Sequence, residues 1–78
     1  MWWNFLKLTQ NKETATYSYG YESKEFTGVF ECDLETFDVK ILKYAANHTE
    51  KDQSVFPIPA YHLIVTHNIP DEKIIAIG

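Results

Sequence analysis

The sequence predicts an α+β domain: an antiparallel β-meander sheet of four or five strands with one helix packed on one face. Three observations predict it. Ala15, Tyr17, Tyr19 and Tyr21 alternate with Thr16, Ser18 and Gly20, a period of two that belongs to strands. Short polar breaks then join this segment to two more alternating segments, and such short loops permit only neighbouring antiparallel strands. Finally, one segment from Ala60 to Asn68 carries apolar residues at helical spacing.

Each element has its own argument. Trp2 to Leu8 is apolar and extended in character, and it reads as a first strand that sends Trp2 and Trp3 to opposite sides. Thr9 to Thr14 is a polar loop. Ala15 to Glu22 is the second strand, rich in Tyr and Thr. Ser23-Lys24-Glu25 has hairpin length. Phe26 to Asp33 is the third strand, with Phe30 and Cys32 on one face and Val29, Glu31 and Asp33 on the other. A tight turn around Asp33-Leu34-Glu35-Thr36 leads to Phe37 to Tyr44, where Phe37, Val39 and Ile41 alternate with Asp38 and Lys40. Asn47 to Ser54 is a second polar loop.

The stretch from 55 to 69 admits two readings. Pro59 suits a first helical turn, Tyr61, Ile64 and Val65 follow at helical spacing, Asn68 suits a left-handed end and Pro70 forbids continuation. The rival is a strand, because Tyr61, Leu63 and Val65 also alternate. The helix is the preferred reading. Lys73 to Ile77 is then a last strand, apolar on both faces, which suits a place inside the sheet rather than at its edge.

At 78 residues the chain is one domain, 1–78. A domain this short buries only about 60–65% of the surface its unfolded chain exposes. Its aromatic share of 15% offsets the thin core with large side chains. Cys32 is the single cysteine, so no disulfide can form within the chain, and a lone thiol suits a reducing compartment. The start of the chain lacks the basic residues and long apolar core of a signal peptide, and no run reaches the length of a membrane span. The expected location is the cytoplasm. Net charge is −4, and the seven basic residues are all lysines, scattered along the chain. This pattern argues against a nucleic-acid partner, which needs a basic footprint, and against an anionic membrane surface.

Tyr19-Gly20-Tyr21-Glu22-Ser23, Thr27 to Asp33, and Ile69 to Lys73 with Ala76-Ile77-Gly78 together resemble short uncharacterised bacterial proteins of Gram-positive type. In those, a β-meander carries a helix followed by a final strand. The resemblance implies the helix from Ala60 to Asn68, and it implies no activity and no binding residues.

The chemistry-bearing residues do not form a recognisable constellation. Glu31 and Asp33 flank Cys32 and raise its pKa, and strand parity buries it beside Phe30. His62 and His67 are five apart, about 140° around an α-helix, and so cannot share a metal. His48 falls in a polar loop, within an Asn47-His48-Thr49 sequon taken as chance. Glu31, Asp33 and Glu35 form an acidic solvated face beside Lys40 and Lys43. Gly20 and Gly28 are equidistant from Lys24, so they face each other across the hairpin and leave a dip filled by an aromatic ring or by a small ligand. No metal and no cofactor is expected.

The tyrosine stripe is the most informative feature. One helix covers one face of a sheet, so Tyr17, Tyr19 and Tyr21 are either core or, with Trp2, an exposed interaction surface. The expected function is a non-catalytic binding or assembly module, homo-oligomeric through a sheet face or an edge strand. The alternative is a small enzyme or ligand binder with a pocket near Gly20, Gly28 and Cys32. A regulatory partner of a basic protein is a third reading, suggested by the charge alone.

Overall fold

A computed structural model describes residues 1–48 and 55–77 of the chain. Its five strands are β1 (Trp2–Gln10), β2 (Thr14–Tyr21), β3 (Gly28–Asp33), β4 (Val39–Lys43) and β5 (Glu72–Ala76). All neighbours pair antiparallel, in the order β4-β3-β2-β1-β5. The helix α1 begins as an α-helix, Pro57–Tyr61, and continues as a π-helical turn, His62–Thr66. The α+β meander expected from the alternation is therefore present, and the segment with two readings is helical.

Alternation decides the two faces. Trp3 and Phe5 of β1, Tyr17 and Tyr19 of β2, Phe30 and Cys32 of β3 and Ile75 of β5 are all buried together with Phe56, Ala60, Leu63 and Ile64 of the helical segment. Phe56 sits at the centre, its ring 5.0 Å from those of Trp3 and Phe30 and 4.9 Å from that of Tyr19. Burying one such large side chain is worth about 1.5–3 kcal/mol. Pro57 at the first helical position costs nothing, since its missing N–H would have no partner there. Asn68 ends the helix in the left-handed conformation (φ 57°), as the sequence predicts, and Ile69 follows it there (φ 52°).

Three sequence expectations need correction. The last strand is not interior: among the described residues β5 pairs with β1 alone and forms one edge of the sheet. Its apolar run is divided between a buried Ile75 (7% exposed) and an open Ile74 (61%). Phe37 is not in the fourth strand. It adopts φ 63° in the turn after β3, where its N–H donates to the Asp33 carbonyl, and its ring is exposed beside Tyr61. The loop after β2 is longer than a three-residue hairpin and shifts the register by one. Tyr19 pairs with Gly28, so Gly20 and Gly28 lie on opposite faces rather than opposite each other. Of the expected loop from Asn47 to Ser54, residues 49–54, including the sequon threonine, lie outside the described residues. No helix among the described residues is long and apolar enough to cross a membrane.

Candidate functional site

The glycine positions show first how the core is closed. A Cβ on Gly28 would lie 2.4 Å from the ring of Tyr19 and 2.6 Å from the Ala45 nitrogen. The aromatic account of the dip therefore applies to Gly28, whose missing side chain makes room for the Tyr19 ring. Gly20 faces the other way, where a Cβ would lie 2.3 Å from the Glu25 carbonyl oxygen. The loop after β2 folds back over that point.

Tyr17 and Tyr19 are fully buried, so the exposed-surface reading fails for them. Their hydroxyls explain how a phenol survives there. Tyr17 donates to the Pro70 carbonyl. The Tyr19 oxygen accepts the Ala45 N–H at 3.1 Å and lies 2.6 Å from His48 Nδ1. A buried hydroxyl needs a partner, and His48 Nδ1 lies within reach of it. Burial pushes both phenols up to about 12. Tyr21 is half-buried on the same face, its ring 4.4 Å from that of Trp3. Trp2, on the opposite face, is the one member of the expected surface that stays on an uncovered side.

His48 is the residue that the sequence reading placed wrongly. It is 4% exposed, enclosed by the rings of Trp3, Tyr19, Tyr21, Tyr44 and Phe56. A turn with Asn47 at φ 69° and the His48 N–H on the Ala45 carbonyl bring it there. The only sequence signal was the aromatic surplus, which needs polar partners once buried. The Trp3 indole N–H meets no hydrogen-bond partner among the described residues.

Cys32 is 1% exposed, as parity predicts, and burial followed by the charges of Asp33 and Asp38 pushes its thiol up to about 11. Asp33 caps the turn into β4: its Oδ1 accepts the N–H groups of Glu35 and Thr36 at 2.8 and 2.9 Å. These bonds hold its carboxyl below the usual range. Glu31 pairs across the strands with Lys40, which gives the acidic face its counter-charge.

His62 and His67 need a correction of geometry. The His67 N–H donates to the His62 carbonyl at 3.0 Å, an i→i+5 bond. A turn closed this way returns to nearly the same side after five residues. Both imidazoles accordingly line one cleft of about 330 Å³ beside β5, with Lys73 and the stretch 74–77. They lie far from Cys32, because β3 and β5 stand three strand spacings apart, roughly 14 Å. Cys32 on β3 is thus not joined by these two histidines. No group of three or more metal-ligating side chains occurs among the described residues.

What remains is one side of the molecule. On the uncovered face Trp2 pairs with Ala76 and Asn4 with Ile74, and Leu6 lies diagonal to Ile74. Trp2, Leu6, Ile74 and Ala76 therefore make a continuous apolar patch around one asparagine. Elsewhere that face carries Thr14 and Thr16 on β2 and Glu31, Asp33 and Lys40 on β3 and β4, while the loop after β2 covers Ser18 and Gly20 and its Lys24 carbonyl accepts from the Asn4 side chain at 3.4 Å. Comparison of the chain with protein-family models, with curated proteins and with solved structures finds no match.

Proposed function

We propose that the chain is a non-catalytic assembly module that homodimerises through the β1–β5 part of its uncovered sheet face. The observation that carries this reading is the patch of Trp2, Leu6, Ile74 and Ala76, in which Ile74 is 61% exposed. An apolar patch that includes a tryptophan has the composition of an interface core, and Glu72, opposite Leu6, stands at its end. A single patch used by both copies makes a closed twofold dimer. A reducing compartment, and so the cytoplasm, suits a chain whose single cysteine is a buried thiol.

Sedimentation velocity over a concentration series tests the proposal. The expected result is a dimer at micromolar concentration that Ile74→Lys converts to a monomer. A strict monomer at high micromolar concentration would sink it. A dimer unaffected by Ile74→Lys and by Trp2→Glu would move the interface elsewhere and overturn the face assignment.

A further inference from the structure

The cleft beside β5 carries an inference independent of the dimer. Met1 and Ile77 exchange hydrogen bonds at 2.7 and 2.8 Å, and the Lys7 N–H donates to the Asp71 carbonyl at 2.8 Å. In an antiparallel pair the bonding residues alternate, so Asp71, Lys73, Ile75 and Ile77 face β1 with their backbone groups. The N–H and C=O groups of Glu72, Ile74 and Ala76 then point outward from the sheet edge. Five successive pairs run along β1 and β5 without a register shift, so the edge is regular. Among the described residues no strand pairs with it.

The rim beside this edge has a definite charge character. The chain holds 11 acidic residues against seven lysines. Yet the described residues lining the cleft include His62, His67 and Lys73 and no carboxylate. The π-helical turn is what puts both imidazoles on it. An imidazole offers an N–H to a carboxylate in either charge state, and the lysine supplies a full positive charge. Asp71, two residues before Lys73, is held by Lys7 at 3.0 Å. Glu72 and Ile74 point to the uncovered face, away from the helix.

We infer that the β5 edge is a strand-addition site for an extended acidic segment of a partner protein. Such a segment bonds to the outward groups of Glu72, Ile74 and Ala76. Every second side chain then faces the helix side, where His62, His67 and Lys73 receive carboxylates. The intervening side chains lie beside Ile74 and are aliphatic. A second copy of β5 fits this edge poorly. Twofold pairing centred on Ile74 would set another Lys73 opposite Ile75, adding positive charge to a side that already holds His62, His67 and Lys73.

The test uses the intact chain and a blocked peptide of alternating Glu and Val, followed by amide NMR shifts and fluorescence anisotropy. The expected result is saturable binding that shifts the Ile74 and Ala76 amides. Affinity should fall about tenfold when the peptide's Glu is replaced by Gln, and again in the double variant His62→Gln, His67→Gln. Ala76→Pro removes one outward donor without touching a bond to β1, and binding should be lost. A peptide N-methylated at alternate residues should fail on the unaltered protein, which keeps the backbone claim testable if the proline variant does not fold. Equal binding of a Lys-Val peptide, or full binding of the methylated peptide, would overturn the inference. So would cross-strand contacts between the β5 backbones of two copies with no peptide present, because the occupant of the edge would then be a second copy.

Discussion

The two edges of the sheet are built differently. β4 is a guarded edge. Its pairing with β3 breaks register between Val29 and Phe30, Lys40 and Lys43 stand on it, and the turn before it is fixed by the Asp33 carboxylate. Bulges and lysines are the usual means of stopping edge-to-edge association. β5 has an unbroken register and one lysine, and Ile74 and Ala76 are open to solvent. Both edges belong to one small sheet under the same helix, so stability does not require the difference. An undefended edge beside an exposed apolar patch makes sense where contact is wanted.

The largest expected effect concerns how each edge is anchored. Ile75 is buried in the shared core, whereas Val39 is half-buried at its margin. Ile75→Ala should cost about 2–4 kcal/mol in urea unfolding and Val39→Ala about 1 kcal/mol. The reverse ranking would make β4 the better anchored edge.

Alkaline titration tests the strands between the edges. The Cys32 thiol rises from 9.0 to about 11, and the Tyr17 and Tyr19 phenols from 10.0 to about 12, all because burial penalises the anion. Each folded pKa lies above the unfolded one, so the folded state binds more protons in that window. Stability is therefore full below about pH 9 and falls as pH rises through 9 to 12. Thermal melts at pH 8, 9.5 and 11 read it. Cys32→Ala should remove the earliest part of the fall, between about pH 9 and 11, and Tyr17→Phe a later part. An unchanged profile in both variants would place the titrating groups elsewhere.

A smaller effect on stability, but a visible one on association, should follow from exchanging the defences. Ile74→Lys should alter unfolding free energy by no more than about 0.5 kcal/mol while abolishing self-association. Lys40→Ile with Lys43→Ile should leave the fold intact and create association through β4, seen by light scattering. If the lysine-free β4 edge stays monomeric, its bulge rather than its charge is the guard.

How much of this was legible depends on the range of the interaction. The meander could be read, because period-two alternation and short loops are local facts. So could the burial of Cys32 beside Phe30 and the left-handed Asn68. The place of β5 could not be read: an apolar run looks interior until one knows that β1 already has β2 on its other side. The tyrosine face was undecidable from one strand, since parity gives two sets and not which of them meets the helix. The glycine register failed by one residue because the loop after β2 folds back onto Gly20 instead of turning tightly. The His62–His67 relation failed because 100° per residue assumes α-helical bonding, and one i→i+5 bond brings the second imidazole to the same cleft as the first. The two features that now define the candidate site, a free edge and a basic cleft, both lie in that long-range or irregular part.

The smallest effect is the most direct test of why the β4 edge is guarded. Asp33 is half-buried, and its carboxyl is depressed by the N–H groups of Thr36 and Glu35. A depressed folded pKa contributes stability above the unfolded value, 3.8, and loses it as pH falls further. Asp33→Asn keeps an acceptor oxygen and removes the charge, so its stability should vary less than that of the unaltered chain below about pH 4. The opening should also be local. Hydrogen exchange at pH 3 should rise first at the Val39–Lys43 amides and leave Ile75, bonded to β1, protected. If β5 opened first in acid, the turn would not be what holds β4. The guarded edge would then owe its behaviour to its lysines alone.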